Sequence, residues 1–411
     1  MKLKNYSLLI AFTALLLSSV PAVISAADNK QKTAHVDSAS LVIETKQGKV
    51  RGTTEKHICV WRGIKYAHAP IGDLRFRAPQ PAESFTGVKD AIAFGPVSPQ
   101  TESSLAGSEP QNEDCLFLNI WSPAADGKKR PVMFWIHGGG FVIGSGSAEL
   151  YNGTNLAKNG DVVVVTINYR LGSLGFLYFD DSTAQKKGFE NNLGIRDQIA
   201  ALKWVKENIA AFGGDPSQVT IFGESAGGTS VETLLACPSA KGLFKGAISE
   251  SGPAGILWQP ETAKGLTQKY FSILGISPDN FEALKSLPLA TLKTAEDKLM
   301  EYMIAETPNK VFSPTIDGSL LVNDISTCLS PAQSGNVVLM IGTNKDESSM
   351  FASRKLKMAP RNAKQLEKEF FYLLTPPVNR ANAAFCEKTI ATLSFVIIST
   401  AGLGRATGIK N

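Results

Sequence analysis

From Pro131 onward, short runs of apolar and mostly β-branched residues alternate with stretches whose apolar positions recur every three to four residues. That alternation predicts a parallel sheet covered by helices. Residues 132–136 read as a buried strand ended by Gly138, Gly139 and Gly140. Residues 162–167 begin with consecutive valines, which suits a strand covered on both faces. Residues 195–211 place Ile199, Leu202, Val205 and Ile209 at a helical period, and the turn Gly213-Gly214-Asp215-Pro216 closes that helix. Strands follow at 219–222 and 245–249, with a helix at 226–236 between them. A stretch of mixed helical pattern, 261–303, interrupts the alternation and is expected to cap the site. The sheet resumes at 337–341 and ends at Gly342.

The first residues follow a different rule. Lys2 and Lys4 precede an apolar run at 8–17, small residues stand at Ser25, Ala26 and Ala27, and polar residues 28–32 come next. This is the layout of a secretory signal and is too short for a spanning helix. Residues 1–26 are therefore expected to be a cleaved leader that makes the chain secreted or periplasmic. Residues 27–411 are expected to form a single α/β domain with no membrane segment. At 411 residues and 43% hydrophobic content the chain can bury one large core. The net charge of +5 comes with no basic run or aromatic–basic stripe, so a nucleic-acid partner is disfavoured. The five cysteines are scattered, and none has C-x-x-C spacing, which argues against a zinc site.

Gly223-Glu224-Ser225-Ala226-Gly227 carries the chemistry. Chance supplies a Gly-x-Ser-x-Gly in roughly one chain of five, so context must decide. Here the pentapeptide lies between a β-branched strand and a helix, as a nucleophile elbow requires. Glycines at 223 and 227 remove side chains where strand and helix crowd, leaving Ser225 in a strained, exposed pose. His137-Gly138-Gly139-Gly140-Phe141 likewise follows a strand, and such loops donate backbone N–H groups to an oxyanion. Gly139, Gly140 and the N–H of Ala226 are the candidate donors.

With these motifs in place, the chain resembles the type-B carboxylesterase family, which includes cholinesterases and bacterial para-nitrobenzyl esterases. The resemblance extends through Trp61-Arg62-Gly63-Ile64, Leu74-Arg75-Phe76, Asn112-Glu113-Asp114-Cys115-Leu116 and Asn168-Tyr169-Arg170. It continues with Asn192-Leu193-Gly194, Phe212-Gly213-Gly214-Asp215-Pro216 and Glu250-Ser251-Gly252, covering about residues 41–350. It implies an α/β-hydrolase fold, a mostly parallel central sheet with helices on both faces. It also implies cofactor-free hydrolysis of small-molecule carboxylic esters and the chain order nucleophile, acid, histidine. The segment Gly342-Thr343-Asn344-Lys345-Asp346-Glu347-Ser348 resembles the family stretch that supplies the acid. Glu347 is the matching residue and Asp346 the alternative; Ser348 stands where the family usually has glycine. The family's N-terminal disulfide would pair Cys115 with the position of Ser98, so it cannot form, and Cys115 is expected to be a buried free thiol.

The resemblance breaks at the base. All four histidines, His35, His57, His68 and His137, precede the elbow, and none occurs in the 64 residues after Glu347. His137 heads the oxyanion loop and is expected to brace it. The last core strand of the fold is expected to be missing, leaving 337–341 as an unpaired edge, and the apolar tail at 390–398 lacks a covering element, so the chain reads as a C-terminally truncated esterase of severely reduced or lost activity. The alternative is a non-catalytic binding module, but relatives of that kind typically lose the serine, which this chain retains.

Overall fold

The computed structural model describes residues 41–180, 182–252, 257–306, 312–322, 325 and 336–347. The expected leader, Ser348 and the tail at 390–398 lie outside the described residues. Eleven strands are present among them: β1 Val42–Glu44, β2 Lys49–Arg51, β3 Thr53–Glu55, β4 Ile58–Lys65, β5 Val88–Asp90, β6 Phe117–Ser122, β7 Arg130–Ile136, β8 Val163–Ile167, β9 Gly214–Glu224, β10 Gly246–Glu250 and β11 Val338–Gly342. The helices are α1 Thr154–Gly160, α2 Gly172–Phe176, α3 Ser182–Lys186, α4 Leu193–Asn208, α5 Ala226–Ala236, α6 Pro260–Leu274 and α7 Leu289–Glu306.

Eight strands form one sheet in the order β11-β10-β9-β7-β8-β6-β4-β3. Neighbours from β11 to β8 pair parallel, and β8, β6, β4 and β3 pair antiparallel. A small separate sheet joins β1, β2 and β5. The valine run behaves as its composition demands, because every residue of β8 is buried. Side chains alternate between faces along a strand. Val164 packs with Ala157 of α1, Trp121 and Val60, whereas Val163, Val165 and Ile167 join the larger core on the other side. Both faces of the sheet are therefore covered at β8, as expected.

The boundaries differ from expectation at two places. Strand β9 starts at Gly214 rather than 219, because Gly214 pairs with Arg130 before a bulge restores the register at Val132 and Val219. Helix α4 ends at Asn208, and Ile209–Phe212 tightens into a 3-10 turn that Gly213 closes at φ 87°. The 261–303 stretch resolves into α6, a 3-10 segment at Pro278–Lys285, and α7, with α7 packed on α2. Cys59 and Cys115 are free and buried. Ser98, 1% exposed, hydrogen-bonds the Cys115 thiol and accepts the N–H of Leu171 at 3.1 Å.

Strand β11 is an edge of the large sheet among the described residues, with Val338 72%, Met340 63% and Ile341 53% exposed. Residues on both of its faces meet solvent along most of its length.

One ion pair fixes the central layers to each other. Arg170, just past β8, donates from Nε to Asp197 Oδ2 at 2.8 Å and from Nη2 to Oδ1 at 2.6 Å, while its own N–H reaches Oδ2 at 3.0 Å. The side chains are 3% and 0% exposed, so each charge has little but the other to replace water. Asp197→Ala strands Arg170 in the core. Urea unfolding is expected to show a loss of about 3–5 kcal/mol. A loss below about 1 kcal/mol would mean that water reaches the guanidinium.

Candidate functional site

The elbow forms where β9 ends and α5 begins. Ser225 adopts φ 58° and ψ −119°, a conformation that costs a non-glycine residue on the order of 1–3 kcal/mol and persists only where its surroundings enforce it. Its N–H donates to the carbonyl of Glu250 at 2.9 Å, and its carbonyl accepts from Thr229 at 2.9 Å. The crowding is severe: a Cβ on Gly227 would sit 2.1 Å from the Ile136 carbonyl oxygen, and one on Gly223 would sit 2.6 Å from the same atom. Only glycine lets α5 start against the end of β7.

The glycine loop lies directly against the serine. A Cβ on Gly138 would fall 3.3 Å from Ser225 Cβ and 2.6 Å from the Glu224 carbonyl oxygen. The loop is tied by its carbonyls. Gly139 C=O accepts from Val142 and Ile143 at 3.1 Å, and Phe141 C=O accepts from Gly172 at 2.8 Å. Among the described residues, no acceptor takes the N–H of Gly139 or Gly140. Those donors stay available for an anionic oxygen, joined by the first N–H of α5 at Ala226.

Further bracing comes from residues the sequence reading left without a role. The Gln100 side chain accepts Gly144 N–H at 2.6 Å and donates to Gly144 C=O at 3.0 Å. Asn168 accepts Gly146 N–H at 2.8 Å. Neither bracing role could be read from sequence, because a polar residue in a loop looks the same whether it braces the backbone or meets water.

His137 occupies the start of the loop, as expected, and its ring is fully enclosed. It stacks on Tyr169 with centroids 4.3 Å apart, its Nδ1 lies 2.8 Å from Gly138 O, and the Tyr169 hydroxyl donates to its carbonyl at 2.8 Å. Nε2 has no hydrogen-bond partner, so the ring does not engage Ser225. Burial pushes its pKa down to about 4. His68 is paired with Glu83 at the surface, and His57 is exposed.

Glu347, the candidate acid, stands two strands further along the sheet, just past β11. Ser251 Oγ donates to Glu347 Oε1 at 2.5 Å, and Asn344 N–H reaches the same oxygen at 2.5 Å. The Ser251 hydroxyl, followed by Asn344, holds this carboxyl below the usual range. Ser251 N–H in turn donates to Gly342 C=O at 2.7 Å. Ser225, Glu250, Ser251 and Glu347 thus form a line across the carboxyl ends of β9, β10 and β11, where ligands of open α/β sheets bind. Glu224, beside the serine, is an exposed residue at the end of β9, yet partial desolvation and then the charges of Glu347 and Glu250 push its carboxyl up.

A model of the carboxylesterase family matches residues 39–397. The para-nitrobenzyl esterase of Bacillus subtilis (strain 168) is 43% identical over 317 residues, covering 75% of this chain and 63% of the relative. Mouse cholinesterase is 38% identical over 332 residues, covering 75% and 54%. Among solved structures, a thermophilic PNB esterase matches at a TM-score of 0.77 and 40% identity, covering 86% of this chain and 71% of that one. The chain spans less than two thirds of the length of these sequence relatives.

A buried neutral imidazole makes a pH prediction. Its folded pKa lies below the usual 6.5, so the stability it contributes is full above pH 6.5 and is lost as pH falls towards 4. Urea unfolding should show up to roughly 3 kcal/mol lost across that window, beyond the loss seen in His137→Asn. Identical pH slopes in the two proteins would refute the assignment.

Proposed function

The chain belongs to the carboxylesterase family, and on that premise we propose that it is a serine hydrolase of small-molecule carboxylic esters with Ser225 as nucleophile. The observation that carries this reading is the strained Ser225 at the end of β9, facing a loop whose Gly139 and Gly140 N–H groups are untaken. Ser225 Oγ attacks the acyl carbon as its proton passes to a base. The carbonyl electrons move to oxygen, and Gly139, Gly140 and Ala226 hold that oxyanion. Collapse expels the alcohol, which takes up the proton. Water then repeats the attack on the acyl-enzyme to release the acid and restore the serine. In this reading Glu347 orients a histidine base, and the hydrogen bond from Ser251, which holds its carboxylate, supports that role.

No histidine follows Glu347 in these 411 residues. Serine without an adjacent base is a weak nucleophile, and removing a triad member leaves mainly what the oxyanion hole and binding supply. These residues alone are therefore expected to turn over esters slowly. The charged n-region, apolar run and small residues before position 27 support export of the chain through a cleaved signal.

A fluorophosphonate probe should label the chain slowly and at Ser225 only, with labelling abolished in Ser225→Ala. Turnover of p-nitrophenyl acetate should fall about a thousandfold or more below that of a relative with a complete triad. Labelling that survives Ser225→Ala, or none at all, would overturn the proposal and favour a binding module.

A further inference from the structure

We infer that Glu296 of α7 is a positioning residue for the oxyanion loop, acting through Ser173 and Gly172; the loop's catalytic importance, though not its geometry, rests on the esterase reading. Glu296 is 7% exposed and belongs to none of the motifs above. Its Oε1 accepts the N–H of Ser173 at 2.7 Å and the Ser173 hydroxyl at 2.6 Å. The carboxylate lies so close to the backbone that a Cβ on Gly172 would meet Oε1 at 2.6 Å and Oε2 at 2.7 Å, and Gly172 itself holds φ 56°. The Gly172 N–H then donates to Phe141 C=O at 2.8 Å, the bond that anchors the far end of the glycine loop. The Tyr270 hydroxyl of α6 lies 3.1 Å from Ser173 Oγ and 3.0 Å from the Leu292 carbonyl, bracing the same junction. The chain of contacts runs without a gap from α7 to the loop beside Ser225. The helical pair α6–α7 is thereby tied to the site, and the buried Glu296 carboxylate sets where the loop backbone lies.

The same junction is sensitive to protons. Burial pushes the Glu296 carboxyl up to about 7, while the two bonds from Ser173 and the charge of Lys293 draw it back and Asp297 opposes them. Lys293 and Asp297 lie on α7 itself and pair with each other. From α6 the junction meets Tyr270, with the Arg75 charge acting on that phenol. Helix α2, Gly-Ser-Leu-Gly-Phe, brings no ionisable side chain. In the closed junction Glu296 is uncharged below about pH 7, whereas exposed it would ionise from about 4.5. The closed form is therefore fully favoured below pH 4.5 and loses ground as pH rises to 7.

Amide hydrogen exchange of Val142, Ile143, Gly144 and Gly172 tests this without needing turnover. After correction for intrinsic rates, the opening equilibrium should rise up to about tenfold per pH unit between pH 5 and 7. In Glu296→Gln, which keeps an acceptor for Ser173 and cannot ionise, it should be flat and low. Glu296→Ala should speed these amides at every pH by about tenfold or more and leave β4 and β6 protected, and Ser173→Ala should do so more weakly. Loop amides unchanged in Glu296→Ala, a uniform loss of protection across the sheet, or a Glu296→Gln profile like that of the parent would each overturn the inference. If Glu296→Ala does not fold, the Glu296→Gln profile decides. Failure of Ser225 labelling would overturn the esterase reading and leave these exchange results intact.

Discussion

The arrangement depends on one crossing of backbones. Helix α5 begins so close to the end of β7 that the Ile136 carbonyl oxygen occupies the space a side chain at 227 would need, and nearly the space of one at 223. Gly138 faces the same restriction from the other side, against Glu224 and Ser225. Three glycines from two separate motifs are thus answers to a single steric problem. Once solved, it sets the Ser225 side chain between helix and loop, with the Glu224 carboxylate beside it. The strain in its backbone is held by the Glu250 carbonyl and by α5, so the folded sheet as a whole sustains the cost.

Around that crossing the interior is kept free of net charge. His137 at the start of the loop and Glu296 behind its far anchor are both buried, and burial favours the neutral form of each. Their proton linkages have opposite signs, so the loop is squeezed from both ends of the pH scale. The charges that remain, Glu224, Glu250 and Glu347, gather along the strand ends. There they favour a cationic or proton-accepting group over an anionic one. The Arg170–Asp197 pair is the exception, and its charges cancel within one set of hydrogen bonds.

The sequence made the parallel half of the fold legible, because buried parallel strands are continuous apolar runs. Residues 132–136, 162–167 and 245–249 each became a strand, and residues 226–236 a helix. The antiparallel half was not read. Strands such as β3 and β5 are three residues long and mix polar with apolar positions, too short for a period to show. At the site, Ser225, Gly139, Gly140 and Glu347 were accessible because each belongs to a run of residues with an unusual joint composition. The roles of Ser251, Gln100 and Glu296 were not. Each acts through one hydrogen-bonded contact to a residue 30 or more positions away, and such a contact leaves no local trace.

Ser98 changes what the fold asks of its surroundings. A hydroxyl occupies the place where the resemblance would put a sulfur, and it ties Cys115 and the Leu171 N–H together with hydrogen bonds. Burial pushes the Cys115 thiol up, which keeps it in its unreactive protonated form. The N-terminal layer is therefore clipped to the sheet by an interaction indifferent to electron supply. Glutathione cannot open it, and no oxidant or isomerase is needed to close it. For this part of the molecule, the redox state of the compartment does not enter into folding.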